Sequence, residues 1–415
     1  MGEQVDVAAR RRVDSQMGSP RRMTYVPALD GMRGISLPGT IYTHFQIFLS
    51  FLPTAPWWIR RSGPFTLNIE MFFVLSGALI TSLLVAEHRR TGSIALDKFY
   101  LRRSRRLGPA LIAVVPLLLI AQFALPGSSS TPLGTRPWLT AVIVLLFAGN
   151  WQIAAGGDIG WLGPAWTLGI EEQFYLTWPS ALRAALRRGW SRQAVIVGCW
   201  ILIVICTAVS ALLAHSFRPT HVAYMTPAQL SPILLGCVLG YTITSNPLGR
   251  LAYVLRSRLV ALAGLAGMVV ISIEWDANLT ALAGGGYALY GAAASLLIGH
   301  CMVMADRPTI WSKVLGWRPF VIIGQVSYEA YLVHCIVILA VLRVAPTMRV
   351  THMILLDLAL IAAFSGAFYY WVERPIRRKG WRAAIFRTRP HSVGTVPEPP
   401  QHVASSGRIE TLTGD

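Results

Sequence analysis

The stretch VIVGCWILIVICTAVSALLA (195–214) runs through twenty residues without one charged side chain. A bilayer's hydrocarbon core is about 30 Å thick, and a helix rising 1.5 Å per residue crosses it in about 20 residues. The run is apolar all round, so as a helix it offers no face to water. It reads as a membrane span. Outward from it, comparable apolar stretches occupy 34–51, 66–86, 108–125, 137–153, 164–182, 227–245, 258–275, 284–304, 320–342 and 351–372.

Composition agrees. Of 415 residues, 54% are hydrophobic and only 13% charged, whereas a soluble domain carries about 25% charge. Mean hydropathy is +0.51. So few charges cannot cover a water-facing surface, and the expected fold is an all-α polytopic bundle of about ten (ten to eleven) transmembrane helices. The net charge of +18 suggests a nucleic-acid partner only until it is set against this hydrophobicity, so nucleic acid is excluded. The five cysteines (Cys199, Cys206, Cys237, Cys301, Cys335) fall in apolar stretches without metal-ligand spacing; they read as packing residues, and no metal is expected.

Charge also gives an orientation. Of 37 Lys and Arg, 31 fall in six places: the segment up to Arg33, 87–106, 183–192, 250–258, 307–318 and 374 onward. The positive-inside rule puts these segments and both termini in the cytoplasm. That assignment requires 137–182 to cross once, so either 137–153 or 164–182 is re-entrant or interfacial. Gly156, Gly157 and Gly160 between them suit the broken backbone that is tolerated at membrane depth beside a cavity. Residues 1–23 read as a basic, disordered cytoplasmic segment without the apolar run of a signal peptide, 24–378 as the transmembrane domain, and 379–415 as a basic, Pro- and Ser-rich disordered tail.

Within the spans, ionisable residues stand out, because each costs at least ~2.5–3.5 kcal/mol at mid-bilayer. Arg33 and His44 flank RGISLPGTIYTH (33–44); eleven residues of helix set them ~16 Å apart, with His44 near the membrane centre. His300 and His334 also sit in spans, so a lone histidine by itself says little. Glu70 precedes MFFVLSGALI and must be paired or protonated. FYLRRSRRLGPA (99–110) places Arg103 and Arg106 on one helix face at the expected start of a span. The helix dipole and free N–H groups there suit the phosphates of a cytosolic cofactor. PAWTLGIEEQFYLTWP (164–179) carries Glu171 and Glu172, which point ~100° apart.

Together these segments resemble the membrane-bound acyltransferase family 3 over about residues 24–378. The likeness rests on LDGMRG with the Arg33-x10-His44 spacing, IEMFFVLSGALI with Glu70, the Arg103-x-x-Arg106 pair, WTLGIEEQFYLTWP, GQVSYEAYLVH (324–334) and VERPIRR (372–378), in that order. Pro164 stands where many members have His, and Gln229 occupies an often-basic position. The resemblance implies an O-acyltransferase that moves an acyl group, often acetyl, from acyl-CoA to a hydroxyl. The acceptor would be a carbohydrate, a lipid-linked glycan or an antibiotic-like molecule.

The residues fit that chemistry. His44, with an imidazole pKa near 6.5, suits a general base. Arg33 would stabilise developing charge, and Arg103 and Arg106 would hold CoA phosphates. Glu171 or Glu70 would orient the imidazole. Direct transfer and a histidine-linked acyl intermediate both remain open. The competing class is a secondary transporter that uses intramembrane His, Glu and Arg as a relay. Single cysteines placed at His88 and Ser130 in a cysteine-free background should label from opposite sides of the membrane; same-side labelling would overturn the assigned orientation.

Overall fold

A computed structural model of the chain describes residues 25–60, 67–124, 137–157, 159–275 and 278–385. The basic segment 1–23, position 130 and the tail beyond 385 therefore lie outside the described residues. Among the described residues there is no β-strand, and ten long helices dominate. They are α1 (Pro27–Leu49), α2 (Asn68–Thr91), α3 (Leu96–Ala124), α4 (Ala165–Arg187), α5 (Arg192–Ser216), α6 (Thr226–Ser245), α7 (Arg258–Trp275), α8 (Tyr287–Val303), α9 (Ser327–Val344) and α10 (Val350–Phe368).

Local chemistry sets many of the boundaries. Pro27 opens α1, where its missing N–H costs nothing. The Ser191 hydroxyl caps α5 by accepting from the Ala194 N–H at 3.1 Å. Gly92, at φ +74°, ends α2 in the left-handed conformation.

Seven helical segments are long and apolar enough to cross a membrane: α2, α5, α7 and α9, together with Pro219–Ser245, Leu279–Val303 and Val350–Arg378. The chain is a multi-pass membrane protein. The other three, α1, α3 and α4, run 23, 29 and 23 residues. α1 and α4 are less apolar because they carry Arg33 and His44, and Glu171 and Glu172. α3 crowds its charges into its first eleven residues, ahead of an uncharged stretch at 107–124. On α5 the side chains of Val197, Ile201, Val204, Ile205 and Leu212 point outward, as lipid solvation favours.

Small residues let the central helices approach closely. α2 crosses α6 at Gly77, Gly236 and Gly240. A Cβ there would lie 2.0 Å from the Ile233 carbonyl oxygen, 2.2 Å from that of Val74 and 2.3 Å from that of Ala78, respectively. This is the small-xxx-small packing of membrane helices, where dispersion and short backbone contacts replace the hydrophobic drive. α1 is clamped likewise by the helix Arg318–Gln325. A Cβ on Gly34 would meet the Phe320 carbonyl oxygen at 1.9 Å, and one on Gly324 the Asp30 oxygen at 1.8 Å. The glycines of LDGMRG thus fix where Arg33 stands.

The structure distinguishes 137–153 from the continuous helix over 164–182, which the sequence left as alternatives, and revises two further expectations. Residues 137–153 form no continuous span: Pro137–Leu145 and Gly149–Ala154 are separate short helices, broken at Phe147, whose φ is +57°. Hydrogen bonds hold the break, since Gln173 Nε2 donates to the Phe147 carbonyl at 2.8 Å and to Asn150 Oδ1 at 3.0 Å. The stretch 320–342 is divided at Val326, and only its second part, α9, has the length of a span. Finally, α3 begins at Leu96, so Arg103 and Arg106 sit two and three turns inside it. The N–H groups there are used within the helix, and the dipole argument for an anion site does not apply. The helical segment Arg374–Ile385 is broken at Gly380, whose φ is +80°.

Adding one methyl group at Gly77 (Gly77→Ala) should cost about 1–3 kcal/mol, the range for overpacking, seen as a lower unfolding temperature in detergent. Gly366→Ala, with no atom within 4 Å of the new Cβ, should leave it unchanged.

Candidate active site

Where α1, α2, α3, α4 and α9 converge, they enclose a cavity of about 70 Å³. A site needs ~10–15 Å³ by the same measure to hold one water, so this one admits several waters or a small acyl group. Helical spacing explains its walls. α2 contributes Ile69, Phe72, Phe73 and Ser76, one face at i, i+3, i+4 and i+7. α4 presents Thr167, Glu171 and Tyr175 at four-residue intervals, and α3 presents Arg103 and Arg106. Arg33 enters from α1, and Tyr328 and Tyr331 close the wall from α9.

The charges are arranged in two ways. Arg103 is consumed by the protein. Its Nη2 and Nε donate to Glu172 Oε1 at 2.9 and 3.2 Å, Nη2 lies 3.8 Å from Glu171 Oε2, and Cζ sits 3.6 Å above the Tyr175 ring. Glu171 Oε1 in turn accepts from the Ser76 hydroxyl at 2.7 Å. Arg106 is different. Its guanidinium stands among the charges of Arg33, Arg103, Arg377 and Glu373, yet no carboxylate lies within 4 Å of it among the described residues. Arg33 makes only a long contact, 3.4 Å, with Asp30. The cavity therefore carries two loosely compensated guanidinium groups on a wall of mixed aromatic, aliphatic and hydroxyl side chains, a setting suited to an anion or a polarised carbonyl.

Of the residues singled out in the sequence, the structure brings Arg33, Arg103, Arg106 and Glu171 together. Two others stand apart. Glu70 is buried beside Tyr290 of α8 and does not line the cavity, since its helix turns Ile69 and Phe73 inward instead. His44 lies beyond the Tyr331 wall. Its ring centroid is 4.7 Å from that of His334, and the His334 ring is 5.6 Å from that of Tyr331. Sequence reasoning missed Ser76, Tyr175, Tyr331 and His334. Tyr175 had a legible signal, falling four residues after Glu171 and three after Glu172, on their helix face. His334 closes the segment GQVSYEAYLVH (324–334), but nothing local ties it to His44, which is 290 positions away.

Comparison with known proteins decides the family. The family model for an acyltransferase domain, that of acyltransferase 3, matches residues 26–384. The chain belongs to the acyltransferase 3 family. This acyltransferase 3 chain is 30% identical over 391 residues to the O-acetyltransferase OatA of Staphylococcus aureus (strain NCTC 8325 / PS 47), covering 89% of the chain and 60% of that protein. It is 28% identical over 386 residues to the putative O-acetyltransferase SACOL0978 of S. aureus (strain COL), covering 88% and 60%. The chain thus spans about three fifths of the length of these curated relatives. No solved structure matches it. Membership in an acyltransferase family does not favour the transporter reading.

Arg103→Met should strand Glu172 as a buried, uncompensated charge and cost about 3–5 kcal/mol of stability. Adding Glu172→Gln should recover part of that loss, measured as unfolding temperature of the purified protein. Equal stability of the single and double variants would show that Glu172 is not left as a destabilising charge when Arg103 is removed.

Proposed function

We propose that this chain is a membrane O-acyltransferase that moves an acetyl or similar short acyl group from acyl-CoA to a hydroxyl of a carbohydrate-containing or other small acceptor. The observation that supports it most is the small cavity holding Arg33 and Arg106 beside Glu171, in a chain of this family. The relatives are named as O-acetyltransferases. A cavity of about 70 Å³ has room for a small acyl group, and the arginines on its wall offer the negatively charged end of CoA its counter-charge.

In this reading His44 removes the acceptor's hydroxyl proton while the oxygen attacks the thioester carbonyl carbon. Arg33 stabilises the oxyanion that forms. As the intermediate collapses, the C–S bond breaks and the thiolate takes the proton back from the imidazolium. Arg106, with Arg33, meets the donor's negative charge. Arg103, held by Glu172 and Tyr175, shapes the wall and keeps Glu171 in place. Glu70 serves packing between α2 and α8. Because Tyr331 stands between His44 and the cavity, the reading requires its side chain to shift when both substrates are bound.

The topology proposed with it has ten spans, α1 to α10, with α3 and α4 crossing once each and the broken segment 137–154 re-entrant between them. Both termini then face the cytoplasm. Lipid-linked glycans and antibiotic-like molecules are both eligible acceptors.

Purified membranes supplied with radiolabelled acetyl-CoA and extracted glycans or small metabolites should transfer label. His44→Ala should abolish transfer while the protein still inserts; retained turnover would remove His44 from the mechanism. Arg33→Ala and Arg106→Ala should each raise the acyl-CoA concentration for half-maximal rate about tenfold, a change of about 1.4 kcal/mol. Substrate counterflow without acyl-CoA would favour a transporter instead.

A further inference from the structure

His334 of α9 is fully buried, and its imidazole is hydrogen-bonded at both nitrogens. Nδ1 lies 2.7 Å from the Tyr331 carbonyl oxygen, while Nε2 lies 3.2 Å from His44 Nδ1. His44 Nδ1 is also 2.9 Å from the carbonyl oxygen of Thr40, one turn back on α1. These contacts determine where the hydrogens sit, because a carbonyl oxygen only accepts. His334 must carry its hydrogen on Nδ1 to satisfy Tyr331, which in the neutral ring leaves a lone pair on Nε2. His44 must carry a hydrogen on Nδ1 to satisfy Thr40. A hydrogen on His334 Nε2 would point straight at that N–H, so His334 is held neutral. His44 Nδ1–H is then shared between two acceptors, and neutral His44 presents a bare Nε2.

From this arrangement we infer that His334 is a positioning residue for His44. It fixes the tautomer in which Nε2 is the base and supplies an acceptor for the Nδ1–H of the imidazolium formed when Nε2 takes a proton. The role parallels that of an acid behind a catalytic histidine, filled here by a second, neutral imidazole. It also assigns a task that the sequence reading gave to a carboxylate. Glu171 is hydrogen-bonded to Ser76, whereas His334 is hydrogen-bonded to His44. The inference rests on the proposed base role of His44 for its catalytic meaning, but the tautomer itself stands on geometry alone.

The arrangement faces one rival. His44, His334 and Cys335 have donor atoms within 4.8 Å of one another, which also fits a small metal site. A metal held there would occupy the ring nitrogens and displace the hydrogen that His44 and His334 share. The two readings are therefore mutually exclusive.

The test uses the full-length protein in nanodiscs. With ¹⁵N-labelled histidine, the His44 signals, assigned by their loss in His44→Ala, should show a protonated Nδ1 and an unprotonated Nε2. A hydrogen on Nε2 of His44 overturns the proposal. In the acetyl-transfer assay, His334→Leu should lower kcat by at least about 10²-fold with the KM for acetyl-CoA within twofold. His334→Gln, whose Oε1 can accept where Nε2 did, should regain most of that loss. Wild-type kcat in His334→Leu, with His44→Ala inactive, defeats the positioning role and leaves the function intact. Turnover in His44→Ala defeats the base reading, while the nitrogen signals still decide the tautomer. Stoichiometric zinc in the purified protein, lost in His334→Leu, overturns the proposal in favour of the metal.

Discussion

A guanidinium in a lipid-solvated bundle must find its counter-charge within the protein, and Arg103 does so completely. Two bonds to Glu172, a longer contact with Glu171 and the face of Tyr175 surround it. An isolated ion moved into a medium of low dielectric pays a desolvation penalty of several kcal/mol even after relaxation. The α3–α4 contact therefore forms only where these partners coincide. That coincidence fixes the register of the two helices, and with it the direction in which Arg106 and Glu171 face. The cavity is a by-product of this neutralisation: one arginine is satisfied so that another, three residues on, can be left open.

Backbone contact does for α1 what charge does for α3. Gly34 and Gly324 bring α1 and the helix Arg318–Gln325 so near that no side chain fits between them, and Gly31 does the same against the backbone of Leu315. Arg33 therefore projects from a segment with little freedom to slide. Precision in the site comes from two unlike sources, a buried ion pair on one side and close-packed carbonyls on the other.

Much of this was legible in the sequence. The apolar runs gave the helical membrane architecture, because length and hydrophobicity are local properties. Arg33, Arg103, Arg106 and Glu171 were recognisable because an ionisable residue in such a run needs a reason. What local reading could not supply was direction and partnership. Glu70 and Ile69 are neighbours in sequence, yet α2 turns only Ile69 into the cavity. The break at Phe147 depends on Gln173, twenty-six positions away, so the composition of 137–153 alone suggested a span. His334 looked like any buried histidine until the fold set it against His44. The start of α3 was misplaced for a simpler reason: its first turns are polar, and hydrophobicity alone puts the helix end where the charges stop.

Tyr331 has duties at both of its ends. Its phenol donates to the Pro164 carbonyl at 2.7 Å and meets the Thr167 hydroxyl at 2.6 Å, forming part of the cavity wall. Its main-chain oxygen receives the His334 N–H. A tilt of this turn of α9 that parted the phenol from Pro164 would carry the carbonyl with it and disturb the imidazole pair. The partition and the proton-handling apparatus are thus linked mechanically, like a latch cut from the same bar as the bolt it secures.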